Sequence, residues 1–223
     1  MTEMLDRLYL PDGKNLNVML WGQAGSGKTF FMENTLQAFL SSNKDPKLRV
    51  LYISPKNEGF AFADAIVGTV DQAEEKLREK RVVALYPSME GLEAQVDDAI
   101  NMVFDFQATN KETSWIVIID DAQVFLSSRR SASDAHKRLA LTGRSRMIRG
   151  IYVAHNVVFA RELEGQVDLL VGFSNPNPIY YRQAIERFDF DPEPFSEALR
   201  ERPYSFVWFD TRSDGARLMS PIE

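Results

Sequence analysis

Residues 16–41 read LNVMLWGQAGSGKTFFMENTLQAFLS and place a strand, a glycine-rich loop and a helix in direct succession. The apolar run at the start is typical of a buried strand, and apolar residues recur at helical spacing from Lys28 to Leu40. Between the two, the segment 22–29 matches the pattern G-x-x-x-x-G-K-T. Its glycines let successive backbone N–H groups point at phosphate oxygens. The stretch therefore predicts an α/β fold organised around a phosphate-binding loop.

The loop pattern assigns a role to each of its parts. We expect Lys28 to reach the β- and γ-phosphates of a nucleotide, and the hydroxyl of Thr29 to ligate Mg²⁺. The helix that begins here directs the positive end of its dipole at the same place, which favours an anion. The predicted nucleotide-binding residues are Gly22, Gln23, Ala24, Gly25, Ser26, Gly27, Lys28 and Thr29.

A second signal lies in the segment 115–123, WIVIIDDAQ. A continuous apolar run predicts a strand that is covered on both faces, as in a parallel sheet. Asp120 and Asp121 follow at the carboxyl end of that strand, where such sheets bind ligands. Asp120 fits the Walker B acid that holds Mg²⁺ through its water shell, and Asp121 fits the residue that orients or deprotonates an attacking water.

The apolar segment 151–154 predicts another strand, and it ends in the polar pair His155 and Asn156. A strand end beside the two acids is where nucleotide hydrolases place a group that senses the γ-phosphate. Either residue suits that role, and the sequence does not choose between them. His155 is equally compatible with an ordinary hydrogen-bonded histidine at a strand end.

Composition limits the possible classes of protein. The chain has 223 residues with a net charge of −6, and we expect residues 1–223 to form a single domain. Cysteine is absent and only two histidines occur, which excludes disulfides, thiol catalysis and cysteine-type zinc sites. No apolar run is long enough to predict a membrane span, and the first residues do not resemble a secretory signal. An intracellular location is expected.

Basic residues concentrate in one segment of this acidic chain. Residues 129–149 contain seven basic residues and one acid. The basic residues are Arg129, Arg130, Lys137, Arg138, Arg144, Arg146 and Arg149. Such a run is compatible with an ordinary solvated face or with a local phosphate contact. We predict that the first four follow the Walker B strand in a projecting loop and contact DNA.

The order of these motifs resembles the FtsK/HerA superfamily of P-loop ATPases, and especially the small genome-packaging ATPases of tailless icosahedral and vaccinia-like double-stranded DNA viruses. The resemblance rests on GQAGSGKT at 22–29, SPKNEGF at 54–60, IIDDAQ at 118–123 and GRSRMIRGIYVAHN at 143–156. Two residues depart from the family pattern. Asp121 stands where the family usually has Glu, which is a longer base, and the sensor candidates include a histidine where Gln or Asn is common.

The resemblance implies a RecA-like (ASCE) P-loop NTPase fold with a mainly parallel sheet, helices on both faces and a C-terminal β-hairpin. It also implies an ATP- and Mg²⁺-dependent motor that moves double-stranded DNA as a homo-oligomeric ring of six subunits. In such a ring an arginine from a neighbouring subunit completes the site, with Arg144 as first candidate and Arg146 as second. A capsid or portal-vertex protein is the implied partner, in host cytoplasm or the virion.

Two other classes of protein fit the phosphate-binding loop. The first is a small-molecule or nucleoside kinase, which would need an acceptor pocket that the sequence does not reveal. The second is a nucleotide-dependent assembly switch that binds protein partners and does not move DNA. Adjacent acids at a strand end favour activation of water, and therefore hydrolysis, over both alternatives.

Overall fold

The structure is a computed structural model that describes residues 2–56, 60–126, 131–155, 163, 165–175, 177–188, 191, 193–212 and 215–220. The described helices are α1 (Thr2–Tyr9), α2 (Lys28–Ser42), α3 (Val70–Leu77), α4 (Leu92–Thr109), α5 (Asp134–Thr142), α6 (Pro178–Phe188) and α7 (Ser196–Glu201). The described strands are β1 (Asn17–Trp21), β2 (Leu48–Ile53), β3 (Ala65–Val67), β4 (Val82–Leu85), β5 (Ser114–Ile119), β6 (Ile148–Ala154), β7 (Val167–Phe173), β8 (Phe206–Asp210) and β9 (Ala216–Met219).

These strands form one sheet in the order β3-β4-β2-β5-β6-β1-β7-β8-β9. The first seven strands pair in parallel. The last two pair antiparallel and form the C-terminal hairpin. The α/β fold with a mainly parallel sheet and a terminal hairpin is therefore confirmed.

Helices cover both faces of the sheet, because side chains along each strand alternate between the two faces. In β1, Val18 and Leu20 join the core beneath α1 and α2. Met19 and Trp21 join the opposite core, which also contains residues of α3 to α7. All five residues of β1 are buried, as are all seven of β6 and all seven of β7. This continuous burial explains why the central strands appear in the sequence as unbroken apolar runs.

The strand order decides what meets at the carboxyl edge of the sheet. β6 pairs with both β1 and β5, so it separates the strand that enters the phosphate-binding loop from the strand that carries the acids. Because parallel strands end at the same edge, the loops after β1, β5 and β6 converge there. The antiparallel β8 begins at that edge, where Phe206 pairs with Phe173 at the end of β7.

Four parts of the chain differ from the sequence expectation. Residues 2–9 form a helix that the sequence did not predict, and buried Leu5, Leu8 and Tyr9 hold it on the sheet. Strand β6 begins at Ile148, three residues before the strand predicted at 151–154. The short edge strand β3 and helix α5 were not predicted. Among the described residues, no helix combines the length and apolar character needed to cross a membrane.

Candidate nucleotide site

The phosphate-binding loop needs glycine at two positions for different reasons. Gly25 and Gly27 have φ of +75° and +99°, a region that favours glycine. Gly27 also lies against Tyr204, and a Cβ at this position would be 2.6 Å from the Tyr204 Cδ1 atom. Helix α2 starts immediately afterwards at Lys28. The loop therefore bends tightly and leads directly into a helix N-terminus, as the sequence predicted.

Lys28 is buried, and its ammonium group lies inside the loop. Its Nζ donates hydrogen bonds to the carbonyl oxygens of Gly22 and Gln23, at 2.7 and 2.8 Å. The Nδ1 atom of His155 is 3.4 Å from the same Nζ. Burial lowers the pKa of Lys28 to about 8, although the nearby acids oppose that shift. A cation that burial destabilises in this way is suited to receive an anion.

Asp120 lies at the end of β5 among hydrogen-bond donors. The Tyr52 hydroxyl donates to its Oδ2 at 2.7 Å, and the backbone N–H of Asp121 donates to its Oδ1 at 2.9 Å. Burial raises the pKa of this carboxyl above its usual range, because the hydrogen bonds compensate only in part. Its position in the cavity with Thr29 fits the expected ligation of Mg²⁺.

Asp121 has the left-handed backbone conformation, with φ of +49°. Its Oδ2 pairs with Lys56 Nζ at 2.8 Å, and its Oδ1 lies 3.2 Å from His155 Nε2. The Gln123 amide also donates to Oδ1, at 3.1 Å. Burial by itself would raise the pKa of Asp121, but these hydrogen bonds and the charge of Lys56 outweigh it and hold the pKa below its usual value. Asp121 therefore stays ionised and accepts hydrogen bonds at neutral pH.

Of the two sensor candidates, the structure brings His155 into the site. Its ring lies between Lys28 and Asp121, and its backbone N–H donates to Gln123 Oε1 at 3.1 Å. This position follows from β6 lying between β1 and β5. Asn156 lies outside the described residues.

Sequence reasoning did not assign Lys56, Tyr52 or Gln123 to the site. Lys56 belongs to the segment 54–60, one of the four that carry the family resemblance, and this was the available signal for it. Tyr52 gave no signal, because a tyrosine within a strand is ordinary. Gln123 lies two residues after Asp121, and the sequence predicted no role for it.

The side chains at this edge surround a cavity of about 340 Å³. It is lined by Ala24, Gly25, Gly27, Lys28, Thr29, Phe30, Lys56, Asp120, Asp121 and His155. Within the described part of the chain, the buried hydroxyl of Ser26 in the loop has no hydrogen-bond partner. The cavity therefore fits a phosphate chain with Mg²⁺. It offers free space, the unpaired Ser26 hydroxyl and the buried Lys28 cation, together with the carboxylates of Asp120 and Asp121.

The arginines proposed to act between subunits lie far from this cavity within one chain. Arg144 and Arg146 are exposed in a single 3₁₀ turn just before β6, at the amino edge of the sheet. β6 has seven residues, so roughly 20 Å separate this turn from His155. Neither arginine reaches the nucleotide site of its own chain, so either one could contact a nucleotide only in a neighbouring subunit.

The basic segment divides into residues with different surroundings. Lys137 and Arg138 lie on helix α5 and not in a projecting loop, so that part of the expectation is wrong. Arg138 stacks over the Phe104 ring at 4.2 Å from its centroid. Arg149 is buried in the core and lies 3.6 Å from Asp168. Arg129 and Arg130 lie outside the described residues.

Comparison with solved structures identifies similar folds. The chain is similar to the genome-packaging NTPase B204 of Sulfolobus turreted icosahedral virus 2 in complex with ATP-γ-S, with 17% identity, a TM-score of 0.75 and coverage of 96% of this chain and 99% of that one. It is also similar to VirB4 of Thermoanaerobacter pseudethanolicus, with 9% identity, a TM-score of 0.66 and coverage of 94% and 90%.

A third similar fold is the cytoplasmic domain of the type VII secretion ATPase EccC of Thermomonospora curvata, with 14% identity, a TM-score of 0.63 and coverage of 93% of this chain and 25% of that one. At these identities the similarity shows the fold alone, which this chain shares with those proteins. No protein-family model matches the sequence, and no curated protein matches it significantly.

Proposed function

We propose that this chain is an ATP-driven double-stranded DNA translocase of the viral genome-packaging type, which hydrolyses ATP with Mg²⁺ at the subunit interfaces of a ring. The observation that carries the enzymatic part is the convergence of Lys28, Asp120 and Asp121 on one cavity at the carboxyl edge of the sheet. The near-complete overlap of the fold with a genome-packaging NTPase supports the packaging part.

Each side chain of the site has a distinct proposed task. Lys28 binds the phosphate oxygens, and Thr29 and Asp120 hold Mg²⁺, which when bound neutralises phosphate charge. Asp121 accepts a hydrogen bond from the attacking water and orients it. His155 contacts both Lys28 and Asp121, so it is placed to register whether the terminal phosphate is present. Lys56 holds the Asp121 carboxylate in position.

The exposed turn that carries Arg144 and Arg146 supports a shared site. An arginine at the amino edge of one subunit can stabilise transition-state charge only in a neighbour whose nucleotide edge faces it. A ring of identical subunits repeats that head-to-tail contact around a closed circle. Arg144 remains the first candidate and Arg146 the second.

The deciding experiment measures ATP hydrolysis with Mg²⁺, with and without double-stranded DNA. A translocase hydrolyses ATP faster when DNA is added. A kinase needs an acceptor substrate for appreciable turnover, and an assembly switch is indifferent to DNA. Hydrolysis that DNA leaves unchanged over a range of salt concentrations would contradict the translocase and leave the ATPase standing.

Arg129 and Arg130 provide the residue-level test of DNA contact. Their replacement by alanine together should lower DNA stimulation and flatten its salt dependence, because phosphate contacts weaken steeply with salt. Hydrolysis without DNA should not change. The matched control is Arg138→Ala, because Arg138 stacks on Phe104 in helix α5. An unchanged response in the double variant would remove these arginines from the DNA interface.

A further inference from the structure

Two half-exposed aromatic rings lie beside the phosphate-binding loop. Tyr204 and Phe30 are 53% and 54% exposed. Their ring centroids are 5.9 Å apart, and the ring planes are inclined by 37°. Phe30 lines the cavity, and Tyr204 packs against Gly27 of the loop. The two rings therefore extend the surface of the nucleotide site.

The backbone of Tyr204 is strained. Its φ is +64°, in the left-handed region where a residue with a Cβ costs about 1 kcal/mol or more. A ring that remains half exposed gains little burial to offset this cost. A strained, exposed aromatic residue in contact with a ligand-binding loop indicates a function for the ring.

The sheet order places these rings opposite the acids. β5, which carries Asp120 and Asp121, is two strands from β1 on one side. β8, which follows Tyr204, is two strands from β1 on the other side. With strands about 4.8 Å apart, the carboxyl end of β5 and the start of β8 lie roughly 10 Å to either side of the end of β1.

This arrangement gives a bound nucleotide a direction. Lys28 and the acids mark the end of the cavity for the terminal phosphates. Around the first turn of α2, Phe30 is two residues beyond Lys28 and so projects away from it. A nucleotide bound in this direction would have its nucleoside end on the side where Phe30 and Tyr204 meet.

Resting on the nucleotide site proposed above, we propose that Tyr204 and Phe30 form a stacking platform for the base of a purine nucleoside triphosphate. Aromatic rings stack on the flat face of a base, and stacking grows with the area of overlap. Purines should therefore bind more tightly than pyrimidines. Because stacking recognises a face and not the hydrogen-bonding edge, ATP and GTP should bind with similar affinity at this contact.

The test compares two ligands, ATP and inorganic tripolyphosphate, by calorimetric titration of the full chain with Mg²⁺. Tripolyphosphate carries the phosphates without a base. Tyr204→Gly is the informative variant, because glycine adopts the positive φ without strain and removes the ring. It should weaken ATP binding about tenfold or more and leave tripolyphosphate binding unchanged. Tyr204→Phe should bind both like the wild type.

Controls separate the platform from the phosphate site. Ile66→Ala removes an equally exposed apolar side chain on the distant edge strand β3 and should change neither affinity. Lys28→Met should abolish binding of both ligands. Unchanged ATP affinity in Tyr204→Gly, or equal loss of both ligands, would overturn the platform while the nucleotide site stands. If the wild type binds neither ligand, the nucleotide site and the platform both fail.

Discussion

The buried position of Lys28 favours binding of an anionic ligand but lowers the stability of the ligand-free fold. Its pKa is about 8 in the folded chain against 10.5 for an ordinary lysine, because burial disfavours the charge. That difference corresponds to about 3 kcal/mol at neutral pH. The hydrogen bonds that Lys28 donates to Gly22 and Gln23 offset part of this free-energy cost.

Lys28→Met should therefore stabilise the nucleotide-free protein, by about 1–2 kcal/mol at pH 7. Below pH 8 the wild type bears the full cost of the buried charge. Between pH 8 and 10.5 the unfolded wild type binds more protons than the folded one, so wild-type stability rises with pH and the advantage of the variant shrinks. Urea unfolding at several pH values measures this. ATP, which should stabilise the wild type, should no longer raise the stability of the variant. Lower stability of the variant at pH 7 would contradict this account.

In the proposed mechanism, Lys56 is a positioning residue that acts through Asp121. Replacing it with Met removes the cation that keeps the pKa of Asp121 low, so this pKa should rise. The acid limb of the pH–kcat profile should move to higher pH, and kcat should fall about tenfold or more. Lys56→Arg should retain much of the wild-type profile. Asp121→Asn should bind ATP but lose roughly a hundredfold in turnover. A Lys56→Met profile that matches the wild type would remove Lys56 from the mechanism.

At the scale of elements, one buried arginine attaches helix α1 to the sheet. Arg149 in β6 donates hydrogen bonds to the backbone carbonyls of Arg7 at 2.7 Å and Leu8 at 3.1 Å. It also pairs with Asp168 in β7, which is itself buried. Arg7 in turn lies 2.9 Å from Asp168. The end of α1 is thus joined to two central strands through charged groups that are removed from water.

Arg149→Ala should cost about 2–3 kcal/mol, since it removes the donor to the backbone carbonyls of Arg7 and Leu8 and leaves a cavity beneath α1. Arg144→Ala, five residues earlier and exposed, should stay within about 0.5 kcal/mol of the wild type. Urea unfolding compares the two directly. The pair therefore separates a structural arginine from the proposed intersubunit arginine within one basic segment. Equal stability of both variants would mean that Arg149 does not anchor α1.

At the scale of the whole molecule, the shared-site proposal predicts complementation. Arg144→Ala and Lys28→Ala subunits should each be inactive as pure samples. In an equal mixture, about a quarter of the sites combine an intact lysine with an intact neighbouring arginine, so about a quarter of wild-type hydrolysis should return. The control mixture of Asp121→Asn with Lys28→Ala should stay inactive, because both lesions lie in the same half of the site.

Hydrolysis per subunit should also rise with protein concentration as rings assemble. Sedimentation velocity at the same concentrations shows whether assembly and activity rise together. Full activity in a strictly monomeric sample would contradict the shared site, and so would a failure of the first mixture to recover activity.

The sequence by itself determined the strand, loop and helix at 16–41 and the two acids after β5. These features are local. They depend on the spacing of residues along the chain, which decides the face of a helix or strand on which each residue lies. The continuous burial of the central strands was also predictable from the sequence, because unbroken apolar runs are a local feature. The β-hairpin at the C-terminus was expected from the resemblance of the motifs to a known family, and β8 and β9 form it.

Only the tertiary structure decided which distant residues share the cavity. Lys56 reaches Asp121 because β2 pairs with β5, and His155 lies between Lys28 and Asp121 because β6 pairs with both neighbours. Helix α1 forms because its apolar face packs on the sheet, although eight residues are too few for a stable isolated helix. Tyr204 meets Gly27 because β8 joins the far side of β7. Strand order and packing depend on burial summed over the whole chain, which local spacing does not contain.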